Sequence, residues 1–326
     1  MLTIGYISCR KENLFKWFAD SLNIQLYGMP IQLVVVDYWL DEERSAYYKS
    51  LFSTIQVDCV KPLPTYIQGD NMITSKPYFS ASAARNAVYV HAIHGQVAFV
   101  DDLSVLSDNW LFQVQSCLND NNVVTLGAYQ KHRNMVVRDG KIISSEVEST
   151  DSRFQFAPQG GKITGFASWF YGCSFVHSLE LALRVNGFDH IADISGYEDC
   201  IQGIRLEKAG ATFIYNTNML TIESHEHHFT EGNVFARADD EIHEQEYGRL
   251  LFDYGIKHSQ YPKGTRRDQS HALLDITMQS PKYTAHVNKF NLRELRAKRE
   301  RGEEITIEDM QHGDVHWFNK KPYSEY

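Results

Sequence analysis

Two adjacent carboxylates, Asp101 and Asp102, close the apolar run Gln96–Asp101 (QVAFVD), which reads as a strand buried on both faces. Side chains alternate along a strand, but where the chain turns at its end both can face a ligand. Neighbouring carboxylates repel each other and need a cation or hydrogen-bond donors close by. A hard divalent cation bridging to a diphosphate meets that need; a solvated strand-end turn meets it too. Two other strand-like runs end on polar residues: 2–9 (LTIGYISC) carries Ser8, and Ile31–Asp37 (IQLVVVD) closes on Asp37. In open α/β sheets ligands bind beyond the carboxyl ends of the strands. The gathering of Ser8, Asp37, Asp101 and Asp102 at such ends is the first functional signal.

Three further stretches carry chemistry. In 84–92 (ARNAVYVHA), just before the Asp-pair strand, Arg85 can ion-pair with a phosphate or a carboxylate, and Asn86 can read a polar edge. A surface Arg on an amphipathic helix is the plain alternative. In 185–210 (VNGFDHIADISGYEDCIQGIRLEKAG), Gly187 suits a turn, and Glu198 and Asp199 stand at a helix start where the dipole favours carboxylates. A carboxylate held beside a sugar could instead deprotonate an acceptor hydroxyl. In 221–229 (TIESHEHHF), His225, His227 and His228 follow a strand. Their spacing is not that of a zinc finger and no Cys lies close. One of them could complete a metal site begun by the Asp pair; otherwise they are solvated or structural.

These residues must be positioned by an alternating pattern. Strands are predicted over 2–9, 31–37, 55–60, 96–101 and 122–129. Helices are predicted over 11–26, 41–52, 80–94 and 108–118. The alternation points to a doubly wound, mostly parallel α/β sheet flanked by helices. A hairpin is predicted over 134–144 around Asp139-Gly140, and a mobile loop over 146–161. Beyond it come a helix over 197–209 ending at Gly210, short strands over 211–215 and 219–222, and a charge-rich helical extension. The expected division is a domain over 1–235, with a nucleotide-binding half at 1–130 and an acceptor half at 131–235, followed by the helical extension at 236–326.

Composition narrows the classes. The 326 residues are 43% hydrophobic and 22% charged, as in an ordinary soluble globular protein. A formal charge of −9 argues against a general nucleic-acid binder. The five cysteines, with no C-x-x-C pair, argue against a disulfide framework and for a reducing, cytoplasmic compartment. No signal peptide and no transmembrane run is expected. The first strand is not followed by G-x-G-x-x-G, and no G-x-x-x-x-G-K-[ST] occurs. The basic run 289–301 (KFNLRELRAKRER) reads as a solvated helix face, or as a seat for an anionic acceptor or surface.

The order of these motifs carries more than any one of them: strand–Ser8, strand–Asp37, ARN helix, strand–DD, Tyr171-Gly172-Cys173-Ser174, NGFD, YED helix, His cluster. This order resembles the GT-A nucleotide-sugar glycosyltransferases, the family 2-like group with a galactosyltransferase-type C-terminal half. The resemblance covers about residues 3–229. It implies that Ser8 and Arg10 contact the nucleotide base, that Asp37 holds uracil or ribose, and that Arg85 lies near base and diphosphate. It implies a metal site of Asp101 and Asp102 with His225 or His227 as a late ligand for Mn2+ or Mg2+. Alignment on Trp110 places Leu103 where family members often carry a last Asp, which makes Asp102 the expected direct ligand. Asp199 is implied as catalytic base, with Glu198 binding a sugar. Trp169, Tyr171 and Tyr197 are implied at the acceptor. The implied reaction is inverting transfer from a nucleoside-diphosphate donor, chiefly a UDP-sugar, to a hydroxyl of a glycan or other acceptor. Two alternatives stay open: a nucleotidyltransferase on a similar sheet, weakened by the glycine-free SCRKEN loop, and a non-catalytic nucleotide-sugar-binding module.

Overall fold

The computed structural model describes residues 1–72, 77–118, 120–157, 160–190, 192–195, 197–229, 274–275, 277–279 and 290–310. The residues divide into two compact units interleaved along the chain. The first holds Met1–Lys61, His91–Leu181 and the stretch from Gly210 to Phe229; the second holds Pro62–Val90, Ala182–Ala209 and the described C-terminal residues.

The first unit is built on a ten-stranded sheet. Its strands are β1 (Leu2–Ser8), β2 (Ile31–Asp37), β3 (Gln56–Val60), β4 (Gln96–Asp101), β5 (Ser104–Leu106), β6 (Val123–Arg138), β7 (Lys141–Thr150), β8 (Lys162–Thr164), β9 (Ser174–Ser178) and β10 (Thr212–Ser224). The main path runs β3-β2-β1-β4-β9-β6-β10-β5, with β7 on β6 and β8 on β10. Strands β3, β2, β1 and β4 are parallel, as are β6 and β10. β9 enters antiparallel between β4 and β6, and β5, β7 and β8 are antiparallel additions. The sheet is therefore mixed, with the parallel pattern expected from sequence concentrated in its first half.

Continuous apolar runs explain that half. Every residue of β1 and β2 is buried, which requires cover on both faces. One face is covered by α1 (Phe15–Asn23), which turns Phe15, Phe18, Ala19 and Leu22 inward. They pack with Tyr6, Leu33, Val35, Val100 and Trp110. Each such large apolar side chain contributes roughly 1.5–3 kcal/mol by leaving water. Helix α2 (Glu42–Ser50) starts on Asp41, whose carboxylate accepts from the Arg44 N–H at 2.7 Å. Helix α4 (Trp110–Gln115) anchors its Trp110 indole N–H on Ser174 Oγ at 3.0 Å.

Three stretches differ from the sequence reading. β6 continues to Arg138, and β7 covers 141–150, so 146–150 is strand and not loop. The two short strands expected over 211–222 are one strand, β10, whose register against β6 breaks between Asn216 and Leu220. At that bulge Asn216 donates to Gln113 Oε1 at 3.1 Å and accepts from the Asn218 N–H at 3.1 Å, and those polar residues imitate a loop. The β6–β7 ribbon turns at Asp139 and Gly140, with φ of 50° and 75°, in keeping with the expected hairpin. Its tip packs closely on the α1 backbone at Asp20 and Ser21.

The second unit contains α3 (Ala81–His91) up to Val90, the second half of α5 (Leu179–Arg184), α6 (Ala192–Ser195), α7 (Glu198–Lys208) and α8 (Leu292–Glu300). Of the helical extension expected from 236 onward, most lies outside the described residues, as does Gly196; α8 belongs to it. Among the described residues no helix is long and apolar enough to cross a membrane.

Candidate functional site

Register brings the first unit's strand ends together. β1 pairs Ser8 with Asp37 of β2, and Ile7 with Asp101 of β4. Three parallel strands thus present Ser8, Asp37 and Asp101-Asp102 along one carboxyl edge.

The two Asp residues of the pair have different surroundings. Asp101 is half-buried, and its N–H donates to the Cys173 carbonyl at 3.3 Å. Asp102 is buried; its Oδ2 accepts from the Ser8 hydroxyl at 2.8 Å and its Oδ1 from Arg10 Nε at 3.1 Å. Burial works against the Arg10 charge, but the Asp102 carboxylate and its hydrogen bond more than restore it, leaving the guanidinium above its ordinary value. Leu103 follows with φ of 64°, a left-handed conformation that costs a branched residue about 1–2 kcal/mol. Its side chain is fully buried, and its carbonyl accepts from the Ser224 N–H at 3.2 Å. The position expected from sequence to match a last Asp is therefore a core position.

Asp37 is fully buried. Its Oδ2 accepts from Arg44 Nε at 2.7 Å and from the Tyr48 hydroxyl at 2.5 Å, and its Oδ1 from the Trp39 N–H at 2.9 Å. Arg44 also donates to the carbonyls of Lys11 and Arg10, at 2.8 and 3.2 Å, and the Trp39 indole donates to the Cys9 carbonyl at 2.9 Å. Burial and the Asp37 carboxylate push the Tyr48 hydroxyl well up, so it stays protonated and donating. The structure thus places Asp37 at the centre of a frame that holds the loop after β1. Arg44 and Tyr48 were not singled out from sequence, because on α2 they read as ordinary surface positions.

The three histidines separate. The His225 N–H donates to the His132 carbonyl at 2.8 Å, and its Nε2 lies 3.3 Å from Arg133. His227 Nδ1 pairs with Ser224 Oγ at 2.7 Å, and its ring meets the edge of Trp17. His228 is the imidazole linked to Asp102, through Arg10: Arg10 Nη2 lies 3.5 Å from its Nδ1, and its Nε2 lies 3.1 Å from Glu223 Oε2. In this arrangement His228 stands beside Arg10, with Glu223 as its partner. Glu223 is buried on β10 inside the TIES run; its signal was its place two residues before the His cluster. Among the described residues, no group of three or more His, Cys, Asp or Glu side chains stands close enough to hold a metal ion.

Aromatic residues line the same unit. Trp169 is half-buried, stacked on Phe156 at 5.1 Å and edge-on to Phe166 at 4.9 Å, and both phenylalanines are 57% exposed. Tyr171 and Tyr215 sandwich the Arg153 guanidinium at 4.3 and 4.5 Å. Arg153, buried, also pairs with Asp151 and donates to the Trp169 and Gly127 carbonyls at 2.6 and 2.8 Å. That post fixes the segment carrying Trp169 and Tyr171.

In the second unit the ARN, NGFD and YED motifs prove to be one cluster. Arg85 Nη1 pairs with Glu198 Oε1 at 2.9 Å and lies over the Phe188 ring at 5.2 Å. Asn86 clamps the Phe188 backbone, donating to its carbonyl and accepting from its N–H, both at 2.8 Å. Gly187, with φ of 70°, lies so close to Asn86 that a Cβ would overlap it. The Asp193 carboxylate caps the start of α3, accepting from the Ser80 hydroxyl at 2.7 Å and the Ser82 N–H at 2.5 Å. Burial pushes that carboxyl up to about 7, against those hydrogen bonds. Tyr197, with φ of 61°, leads into α7, and Asp199 is half-buried with its Oδ1 accepting from the Cys200 N–H at 2.7 Å. Of the basic run, Lys289 lies outside the described residues. Lys298 pairs with Asp309, Arg301 with Glu303, and Arg296 donates to the Tyr89 carbonyl.

The fold as a whole is similar to that of solved structures. S. aureus TarS 1-349 in complex with UDP-GlcNAc superposes with a TM-score of 0.52 at 11% identity, over 94% of this chain and 93% of that one. GalNAc-T7 with UDP, GalNAc and Mn2+ superposes at 0.50 and 10% identity, over 94% of this chain and 58% of that one. The chain has the GT-A fold. It spans little more than half the length of the GalNAc-T7 chain it matches. No family model matches the chain, and no curated protein matches it.

Proposed function

We propose that this GT-A chain is a glycosyltransferase that moves a sugar from a nucleoside-diphosphate donor, chiefly a UDP-sugar, to an acceptor hydroxyl with inversion. The observation that carries this reading is the alignment of Ser8, Asp37 and Asp101-Asp102 along one strand-end edge, where open α/β sheets take nucleotides. Likeness to TarS with UDP-GlcNAc and to GalNAc-T7 with UDP and GalNAc supports the class of donor. In this reading the loop after β1, framed by Asp37 and Arg44, receives the base and ribose, with Asp101 close by. Trp169 and its aromatic neighbours, with Tyr171, receive the acceptor, for which a sugar face is the natural partner. The five free cysteines suit a reducing, cytoplasmic setting. An anionic acceptor could use what remains of the basic run around α8.

A divalent cation, Mn2+ or Mg2+, fits the donor chemistry beside Arg10. Asp102 oxygen, the His227 and His228 carbonyl oxygens and His228 Nδ1 surround the guanidinium, and such oxygen and imidazole donors suit Mn2+ or Mg2+. When bound, the cation would offset charge on the departing diphosphate. Asp199, at the start of α7, takes the proton of the acceptor hydroxyl as its oxygen bonds to the anomeric carbon and the bond from that carbon to the diphosphate oxygen breaks. Glu198, held by Arg85, sets the start of the helix that carries Asp199. The test is Asp199→Asn. General-base loss lowers transfer by about 10²-fold or more with donor binding kept; full transfer by the variant would remove Asp199 from the role.

A further inference from the structure

Arg10 is the group at the strand-end edge that the proposed chemistry leaves unexplained. It follows Ser8 by two residues, and its N–H donates to the Ser8 hydroxyl at 3.2 Å, so the turn after β1 fixes where its side chain starts. From there the guanidinium reaches four acceptors. Nε donates to Asp102 Oδ1 at 3.1 Å, Nη1 to the His227 and His228 carbonyls at 3.1 and 3.4 Å, and Nη2 lies 3.5 Å from His228 Nδ1. The Arg10 and Asp102 side chains are 13% and 11% exposed, so water competes little for the pair.

The histidine is prepared for a cation. With Glu223 Oε2 at 3.1 Å from His228 Nε2, the proton belongs on Nε2 and the lone pair on Nδ1, toward Arg10. A carboxylate that orients an imidazole from behind is the usual outer partner of a metal-binding histidine. Here the orienting carboxylate, the imidazole and a cation are all in place, and the cation belongs to the chain itself.

We propose that Arg10 occupies the place on Asp102 and His228 that a divalent cation would take, so that guanidinium and metal exclude each other and Arg10 sets how tightly the chain takes a metal. The inference rests on the reading that a divalent cation serves this site. It adds that the metal must displace a built-in counter-ion, which makes the chain a weak metal binder until Arg10 leaves. A guanidinium released in this way remains beside the strand-end edge, where a diphosphate is a fitting new partner.

The test is Mn2+ binding to the full chain without nucleotide, followed by the electron paramagnetic resonance of free Mn2+. Arg10→Gln removes the competing charge and is expected to bind Mn2+ about tenfold tighter than the wild type. Arg10→Lys keeps a charge and is expected to stay nearer the wild type, and adding Asp102→Asn to Arg10→Gln is expected to abolish the gain. Equal or weaker Mn2+ binding by Arg10→Gln overturns the proposal. Should that variant fail to fold, the wild type decides: the Arg10 Nε–H resonance is expected to shift on addition of diamagnetic Mg2+ but not of Na+, and a resonance unmoved at high Mg2+ overturns the proposal. Cleavage of a nucleotide-sugar is scored separately. A chain that cleaves donor yet shows no effect of Arg10 on metal binding refutes this inference alone; one that cleaves no donor refutes the glycosyltransferase reading.

Discussion

Gly140 at the tip of the β6–β7 ribbon offers a test in which the size of the effect can be worked out from geometry. A Cβ added there would meet Asp20 C and O at 2.6 Å and Ser21 N at 2.7 Å, all backbone atoms of α1, and the residue has φ of 75°. Two costs add. An L side chain held at positive φ costs about 1–2 kcal/mol. Pressing a methyl into unyielding backbone adds about 1–3 kcal/mol by analogy with overpacked cores. Gly140→Ala should therefore destabilise the chain by about 2–5 kcal/mol. Gly28 is the internal control: it has φ of 62°, and a methyl added to it would have nothing within 4 Å, so Gly28→Ala carries only the first cost, about 1–2 kcal/mol. The assay is urea unfolding of both variants and the wild type, with hydrogen exchange across 130–150 to see whether the ribbon lifts from α1. The ribbon also holds the His cluster through Asn134, whose N–H donates to Glu226 at 2.8 Å, and through His132 and Arg133. A lifted tip should therefore loosen 225–229 as well. Equal destabilisation by Gly140→Ala and Gly28→Ala, with unchanged exchange in the ribbon, would refute the close approach.

Two further outcomes follow from the second unit. Arg85→Ala leaves Glu198 without its ion pair and removes the cation from the Phe188 face, and it should cost about 2–4 kcal/mol in urea unfolding, since one partner of a shielded pair is lost; a cost below about 0.5 kcal/mol would show the pair to be a surface contact. Asp193 gives a pH signature. Its folded carboxyl is raised to about 7 from an ordinary 3.8, so between those values the native state holds a proton that the unfolded chain has lost. Stability from this group is full below about pH 4, falls as pH rises and levels off above about 7. Around the carboxylate stand the Ser80 hydroxyl, the Ser82 and Ala83 N–H groups and the charge of Glu198. Asp193→Asn should remove this part of the pH dependence between about pH 4 and 7, and a variant with the wild-type slope would exclude Asp193 as its source.

Much of residues 1–130 was legible because β1, β2 and β4 are buried almost throughout and therefore read as unbroken apolar runs. Ser8, Asp37 and the Asp pair were visible as what such runs end on. What Asp37 and Asp102 touch was not legible. Arg44 reaches Asp37 across seven positions from a helix that reads as solvated, and Arg10 meets Asp102 across 92 positions only because β1 and β4 are neighbours. The Glu223–His228 pair depends on how the chain curls after β10. The ARN and YED motifs were seen, but their mutual contact spans 113 positions and carries no periodic signal. The ribbon was underestimated because β7, exposed along nearly its whole length, has the polar composition of a loop.

The central claim is that a nucleoside-diphosphate sugar is the donor and that its anomeric carbon–oxygen bond is the one broken. Incubation of the full chain with UDP-, GDP- and TDP-sugars and Mn2+, followed by 31P NMR, reads that bond directly. The account predicts release of an intact nucleoside diphosphate from at least one donor, with UDP first among them. Release of pyrophosphate or of a nucleoside monophosphate, or tight nucleotide binding with every donor left whole, would contradict it.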